Sequence, residues 1–260
     1  MTFNPAEMFS LAGKSAVVIG GSGVLGGVFA QALAEAGARV AIVGRTPEKV
    51  EQATASLKAA GHETLGVAAD QSTRAGVKEA HDAVARAWGG VDILVNAPGV
   101  NSATPFFEIT DEEWDRIMNV NLKSMFLAAQ IFGASMKERG QGGSIINISS
   151  ISSGPPLSRV FTYSVSKAGV NNLTQWLARE FAPYRIRVNA LIPGFFPAEQ
   201  NRRILSPERV ESIIRHTPMG RLGEPHELAG TLLWLASEKA SGFVTGALVK
   251  VDGGFSAMTI

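Results

Sequence analysis

Cysteine is missing altogether from this chain of 260 residues. Its absence removes disulfides, thiolate-held zinc and a cysteine nucleophile together, and fits a reducing compartment. Also missing is any run of about 18 apolar residues, the length a bilayer-crossing helix needs, so no membrane partner is expected. The opening MTFNPAEMFSLAGK has neither a basic nor an apolar stretch. No secretory leader is expected there, and the cytoplasm is the expected location. Net charge is scarce as well: a formal +1, with no Lys/Arg-rich block, offers no pull toward nucleic acid or an anionic membrane. His62, His81, His216 and His226 show no ligand spacing, so no metal is expected.

What is present suits a packed globule, 45% hydrophobic and 18% charged. Short β-branched runs recur: AVVIG, RVAIVG, ILVNA, SIINIS, IRVNALIP and ALVKV. Most are apolar throughout rather than alternating, as strands buried on both faces of a parallel sheet must be. Helical spacing fills the gaps. Leu25, Phe29, Leu33 and Ala36 form one stripe that Gly37 would end. Thr110 and Glu113 make a capping box ahead of WDRIMNVNLKSMFLAAQIF, and Leu173, Trp176, Leu177 and Phe181 line one face of a later helix. Strand–helix alternation without a linker or repeat predicts one doubly wound α/β domain over 1–260. A proline-punctuated stretch at about 194–225 is the expected substrate-loop insertion.

IGGSGVLGG follows the first strand and opens a helix, and Gly21, Gly23 and Gly26 match G-x-G-x-x-G. Twenty-eight glycines make chance matches common, but this context is the one the fingerprint requires. Main-chain N–H groups and the positive helix end can there approach a pyrophosphate. About 20 residues on, a dinucleotide site usually offers a carboxylate to the adenosine ribose. Here the second strand ends with Gly44 and Arg45. A cationic fork in place of a carboxylate favours NADP(H), with NAD(H) as the alternative.

YSVSK then sets Tyr163 and Lys167 four residues apart, on one helix face. Together with the glycine loop, VDILVNAPG, NVNL, INISS, RVNALIPG and VTGALVKVDGG, it resembles the short-chain dehydrogenase/reductase family along essentially the whole chain. The resemblance implies a Rossmann fold with a seven-stranded, mostly parallel sheet and helices on both faces. It also implies a homotetramer, with WLAREF and GGFSAMTI in subunit contacts. It sets the catalytic tetrad on Asn121, Ser150, Tyr163 and Lys167, Ser150 being preferred to Ser149, Ser152 and Ser153. It puts cofactor contacts on Gly20, Gly21, Ser22, Gly23, Val24, Leu25, Gly26, Arg45, Asp70, Gln71, Asn96, Ala97, Pro193, Gly194, Phe195 and Phe196, besides Tyr163 and Lys167. Val24, Pro98 and Ala198 depart from the usual pattern.

The pairing has a physical reason. A tyrosine hydroxyl with an ordinary pKa of about 10 needs roughly 4 kcal/mol of phenolate stabilisation to act near pH 7. A lysine cation about 4 Å away supplies that order of energy at an effective dielectric near 20. In this reading Ser150 holds the substrate oxygen, and Asn121 anchors a water that links Lys167 to solvent. The substrate is less legible. PGFFPAEQNRRIL and HTPMGRLGEPHELAGTLLWLAS resemble the branch with D-mannonate oxidoreductase and related sugar-acid enzymes. Arg159 would meet a carboxylate, Arg202, Arg203 and His216 are further cations, and Asn101 and Gln200 would meet hydroxyls. A 3-oxoacyl-thioester reductase, with Phe106, Phe107, Phe195 and Phe196 along an acyl channel, is the neighbouring alternative. A cofactor-sensing protein without turnover is the alternative from another class.

Overall fold

The computed structural model describes residues 4–155, 157–196 and 206–258. Seven strands form one sheet: β1 (Ser15–Ile19), β2 (Arg39–Gly44), β3 (Thr64–Ala68), β4 (Ile93–Asn96), β5 (Gly143–Ile148), β6 (Ile186–Pro193) and β7 (Leu248–Val251). Their order is β3-β2-β1-β4-β5-β6-β7, and every described ladder is parallel. The helices are α1 (Pro5–Phe9), α2 (Val24–Glu35), α3 (Pro47–Ala59), α4 (Arg74–Trp88), α5 (Asp111–Met118), α6 (Ser124–Arg139), α7 (Phe161–Phe181), α8 (Pro207–His216), α9 (Ala229–Ala236) and α10 (Glu238–Ser241).

The apolar strands are explained by two cores. Ala16 and Val18 of β1 pack with α2, α3 and α9, whereas Val17 and Ile19 point the other way, into a cluster with α4, α6 and α7. Because successive side chains alternate faces, a strand covered on both sides is apolar at nearly every position, and a polar residue such as Ser15 is hydrogen-bonded, here to Gly90 O at 2.6 Å. All five β1 residues are buried accordingly. The edge strand β3 was not among the predicted runs. Only Thr64 and Val67 of it are buried, and Gly66 is required because a Cβ there would lie 2.7 Å from Thr54 Oγ1.

Three helical expectations change in detail. The segment after Thr110 is two helices joined by a π turn at Asn119–Lys123, where Ser124 N–H donates to Asn119 O. Thr110 does accept from Glu113 N–H, but the Glu113 carboxylate turns to Thr104 Oγ1 at 2.7 Å, so the capping box is half made. On α7 the buried stripe is Val170, Thr174 and Ala178, and Trp176 stands 55% exposed.

Order reverses between β1 and β4, and at such a switch point the carboxyl ends of the strands part to leave a crevice. The residues following β1, β2, β4, β5 and β6 converge there, and they line a cleft of about 560 Å³.

Candidate active site

The loop after β1 is shaped by what its glycines exclude. A Cβ on Gly20, whose φ is +79°, would sit 2.7 Å from Ala97 O, and one on Gly26 would sit 2.1 Å from Gly20 O. Gly21 packs against Val18 and Ile42 behind the cleft. Gly23 is the N-cap of α2 and supplies no capping side chain, and the helix ladder starts only with Gly27 N–H donating to Gly23 O. The N–H groups of Val24, Leu25 and Gly26 are thus left for a ligand at the positive end of a 12-residue helix. Gln71 lines the same cleft with a buried Oε1 that has no partner. Glycine cradle, open helix end and orphan acceptor together fit a dinucleotide.

At the far end of β2 a side chain on Gly44 would meet Ser22 Oγ at 2.5 Å. A carboxylate at this position would need the Ser22 hydroxyl to turn aside and Val50 Cγ2, at 3.0 Å, to give way. Arg45, Thr46 and Lys49 line the cleft beside it. Lys49, in the first turn of α3, is a residue that sequence reasoning missed. Its spacing of four from Arg45 was the available signal.

Across the switch point stands the predicted tetrad. Tyr163 and Lys167 lie on α7, and Ser150 follows β5 as the N-cap of a short 3₁₀ turn at Ile151–Ser153. All three line the cleft. Lys167 Nζ donates to Ile148 O at 2.8 Å and lies 3.5 Å from Pro98 O and 5.7 Å from the centre of the Tyr163 ring. Ser149 is buried, its hydroxyl on Lys167 O, which leaves Ser150 as the serine that meets Tyr163. Asn121 is wholly buried in the π turn. Its Oδ1 accepts from Val100 N–H, and its Nδ2 donates to Val100 O and Ser166 Oγ. The amide is spent as a clamp between the loop after β4 and α7.

The electrostatics differ from the simple pairing. Burial raises the Tyr163 hydroxyl above its ordinary 10.0, with the Ser150 hydrogen bond pulling the other way, and burial lowers Lys167 to about 7. A low-dielectric site disfavours each charged form separately. Phenolate stabilisation here therefore depends on Ser150 as well as on Lys167 being protonated.

The remaining expectations divide. Ser22, Ala97, Pro193, Gly194, Phe195, Phe196, Asn101 and Arg159 line the cleft. Asp70 is not among the lining residues, and its Oδ1 accepts from Ser72 N–H and Ser72 Oγ in the exposed turn before α4. Asn96 lies behind the wall, donating to Asn147 Oδ1 at 2.8 Å. Phe106 and Phe107 are exposed, in an aromatic group with Phe161 and Trp114, and neither is among the described residues that line the cleft. His216 stacks edge-on against Phe255. Gln200, Arg202, Arg203 and Ala198 lie outside the described residues. A second cation went unpredicted: Arg209 of α8 reaches the cleft and donates to Ser158 Oγ and Ser158 O, both at 2.8 Å. Among the described lining residues are Arg45, Lys49, Arg159, Lys167 and Arg209, and no Asp or Glu.

The chain is similar to known proteins over nearly its full length. A family model described as enoyl-(acyl carrier protein) reductase matches residues 22–256. An uncharacterized oxidoreductase of Bacillus subtilis (strain 168), UxuB, is 40% identical over 269 residues, covering 95% of this chain and 96% of its own. A gluconate 5-dehydrogenase from Burkholderia cenocepacia, solved in complex with NADP and tartrate, superposes with a TM-score of 0.94 at 33% identity, over 98% of this chain and 100% of that one. A Haemophilus influenza protein assigned as a D-mannonate oxidoreductase, solved with bound NAD, gives 0.92 at 32% identity, over 98% and 99%. The chain belongs to the short-chain dehydrogenase/reductase family, NAD(P)-dependent oxidoreductases acting on CH–OH groups.

Proposed function

We propose that this protein is an NADP(H)-preferring oxidoreductase that interconverts the hydroxyl and the ketone of a sugar acid or similarly polar carboxylate, with Tyr163 as general acid and base. The observation that carries it is the charge of the cleft: four cations besides the buried Lys167, and no carboxylate, among the described lining of a chain whose net charge is only +1. Arg45 and Lys49 follow β2, whereas Arg159 and Arg209 belong to the loop before α7 and to α8. From β2 to β5 is three strand spacings, about 14 Å. Two separate anionic groups are thus provided for, a ribose phosphate at one end and a substrate carboxylate at the other. The relatives named for gluconate and mannonate support the sugar acid.

A nicotinamide dinucleotide held along the glycine loop would supply or accept the hydride. Ser150 holds the substrate oxygen by its hydroxyl, and Tyr163 gives that oxygen its proton in reduction or removes it in oxidation. Lys167, charged, steadies the phenolate that results, and its bond to Ile148 O fixes where the ammonium stands. Asn121 keeps α7 against the loop after β4. Pro193 and Gly194 close the floor at the end of β6. Arg209 holds Ser158, the residue before Arg159, and so steadies the loop that carries the second cation.

The test is consumption of reduced nicotinamide with NADPH or NADH against a keto sugar acid, a neutral ketose and a 3-oxoacyl thioester. Turnover of the keto acid with NADPH is expected, and Arg159→Ala should raise KM for the acid about 10- to 100-fold, the worth of one charge-assisted contact. A KM unchanged by that substitution removes Arg159 from the site, and turnover of the thioester alone overturns the substrate class. A homotetramer in the cytoplasm completes the proposal. Its support is an apolar groove of Met118, Leu122, Phe126, Leu173 and Trp176 between the π turn, α6 and α7.

A further inference from the structure

Ser152 was set aside in the choice of Ser150, yet it lies only 4% exposed and lines the cleft. Two of its groups point at the same atom. Its N–H donates to Ser150 Oγ at 3.3 Å, and its hydroxyl donates to Ser150 Oγ at 3.1 Å. The rest of Ser150 is held as firmly. Its carbonyl accepts from Ser153 N–H at 3.0 Å and Ser153 Oγ at 2.6 Å, and Asn171 Nδ2 on α7 donates to Ser153 Oγ at 2.8 Å.

A serine hydroxyl has one proton and two acceptor sites. With both acceptor sites taken by Ser152, only the proton of Ser150 is left, free for the substrate oxygen that this hydroxyl is proposed to hold beside Tyr163. We infer that Ser152 is a positioning residue that commits Ser150 to donate, so that the Tyr163 proton is kept for the substrate. The inference rests on the proposed roles of Ser150 and Tyr163. Without Ser152 Oγ, Ser150 regains an acceptor site, and neutral Tyr163 can give its O–H to Ser150 instead of to the substrate oxygen.

The experiment is kcat against pH for Ser152→Ala, Ser152→Thr and the pair Ser150→Ala and Ser150→Ala/Ser152→Ala, with NADPH binding measured by fluorescence in each. Ser152→Ala should lower kcat on the order of 3- to 10-fold, at 1.36 kcal/mol per tenfold. It should also move the tyrosine limb of the profile to higher pH and leave NADPH affinity unchanged. Ser152→Thr should restore both rate and limb, and in the Ser150→Ala background Ser152→Ala should do nothing further. If Ser150→Ala and Tyr163→Phe leave turnover intact, the proposed chemistry itself is wrong. If those two abolish turnover while Ser152→Ala changes neither rate nor limb, this inference alone is overturned. A loss of rate with an unmoved limb, unrescued by threonine, likewise reduces Ser152 to a structural role.

Discussion

Lys167→Met should make the nucleotide-free protein more stable while ending its turnover. Lys167 is 3% exposed, and burial takes its ammonium from an ordinary 10.5 to about 7. At about 1.4 kcal/mol per pH unit, holding that charge inside the fold costs about 5 kcal/mol at any pH below 7. The unfolded chain keeps the proton up to about 10.5 and the folded chain releases it near 7, so between these values the unfolded state binds more protons and wild-type stability rises with pH. Methionine keeps an unbranched, flexible side chain without the charge. Against the gain, Ile148 O and Pro98 O lose a donor, about 1–3 kcal/mol together. The net gain is about 2–4 kcal/mol at pH 6, shrinking by about 1.4 kcal/mol per pH unit above 7 and cancelling near pH 9. Urea unfolding of both proteins at pH 6, 7.5 and 9, at one fixed concentration, reads this directly. A variant less stable than wild type at pH 6, or a difference that does not move with pH, refutes the reasoning.

Replacing both Arg45 and Lys49 with serine should raise KM for NADPH about 10- to 100-fold while barely changing that for NADH, as steady-state kinetics with each nucleotide will report. Trp176→Glu, placing a charge in the apolar groove beside Phe126, should split the proposed tetramer, visible by sedimentation velocity. Arg187→Leu should destabilise the fold by about 2–4 kcal/mol in urea without altering KM. This guanidinium, 8% exposed on β6, donates to Leu235 O and Ser241 Oγ at 2.9 Å each; Leu235 O keeps the Ser144 hydroxyl, so what the substitution removes is the two charge-assisted bonds themselves.

The parallel strands were legible because burial on two faces makes most positions apolar, as β1 and β6 illustrate, and their buried Ser15, Arg187 and Asn189 are each hydrogen-bonded. The edge strand β3 escaped because one of its faces is largely open and it carries a glycine. The π turn has no proline or glycine to announce it; it is visible only as Ser124 N–H reaching back five residues to Asn119 O. Tyr163, Lys167 and Ser150 could be read from short-range spacing. Lys49 offered only its spacing of four from Arg45, and Arg209 offered no local signal, since what brings it to the cleft is the strand order, which local periodicity does not encode. Asp70 illustrates the converse: it stands where a cofactor contact was expected, but two hydrogen bonds to Ser72 engage its carboxylate in a turn.

The contact between Gly44 and Ser22 has a consequence for how such a chain can change over generations. A carboxylate at 44, the usual route to a ribose preference, meets the Ser22 hydroxyl within 2.5 Å even at its first carbon. The Ser22 hydroxyl can turn aside, but Val50 Cγ2 stands 3.0 Å from the same carbon, so a larger residue at 44 asks two side chains to give way. Nucleotide preference is thereby tied to the loop after β1 and to the first turn of α3, and residue 44 cannot change it without regard to them.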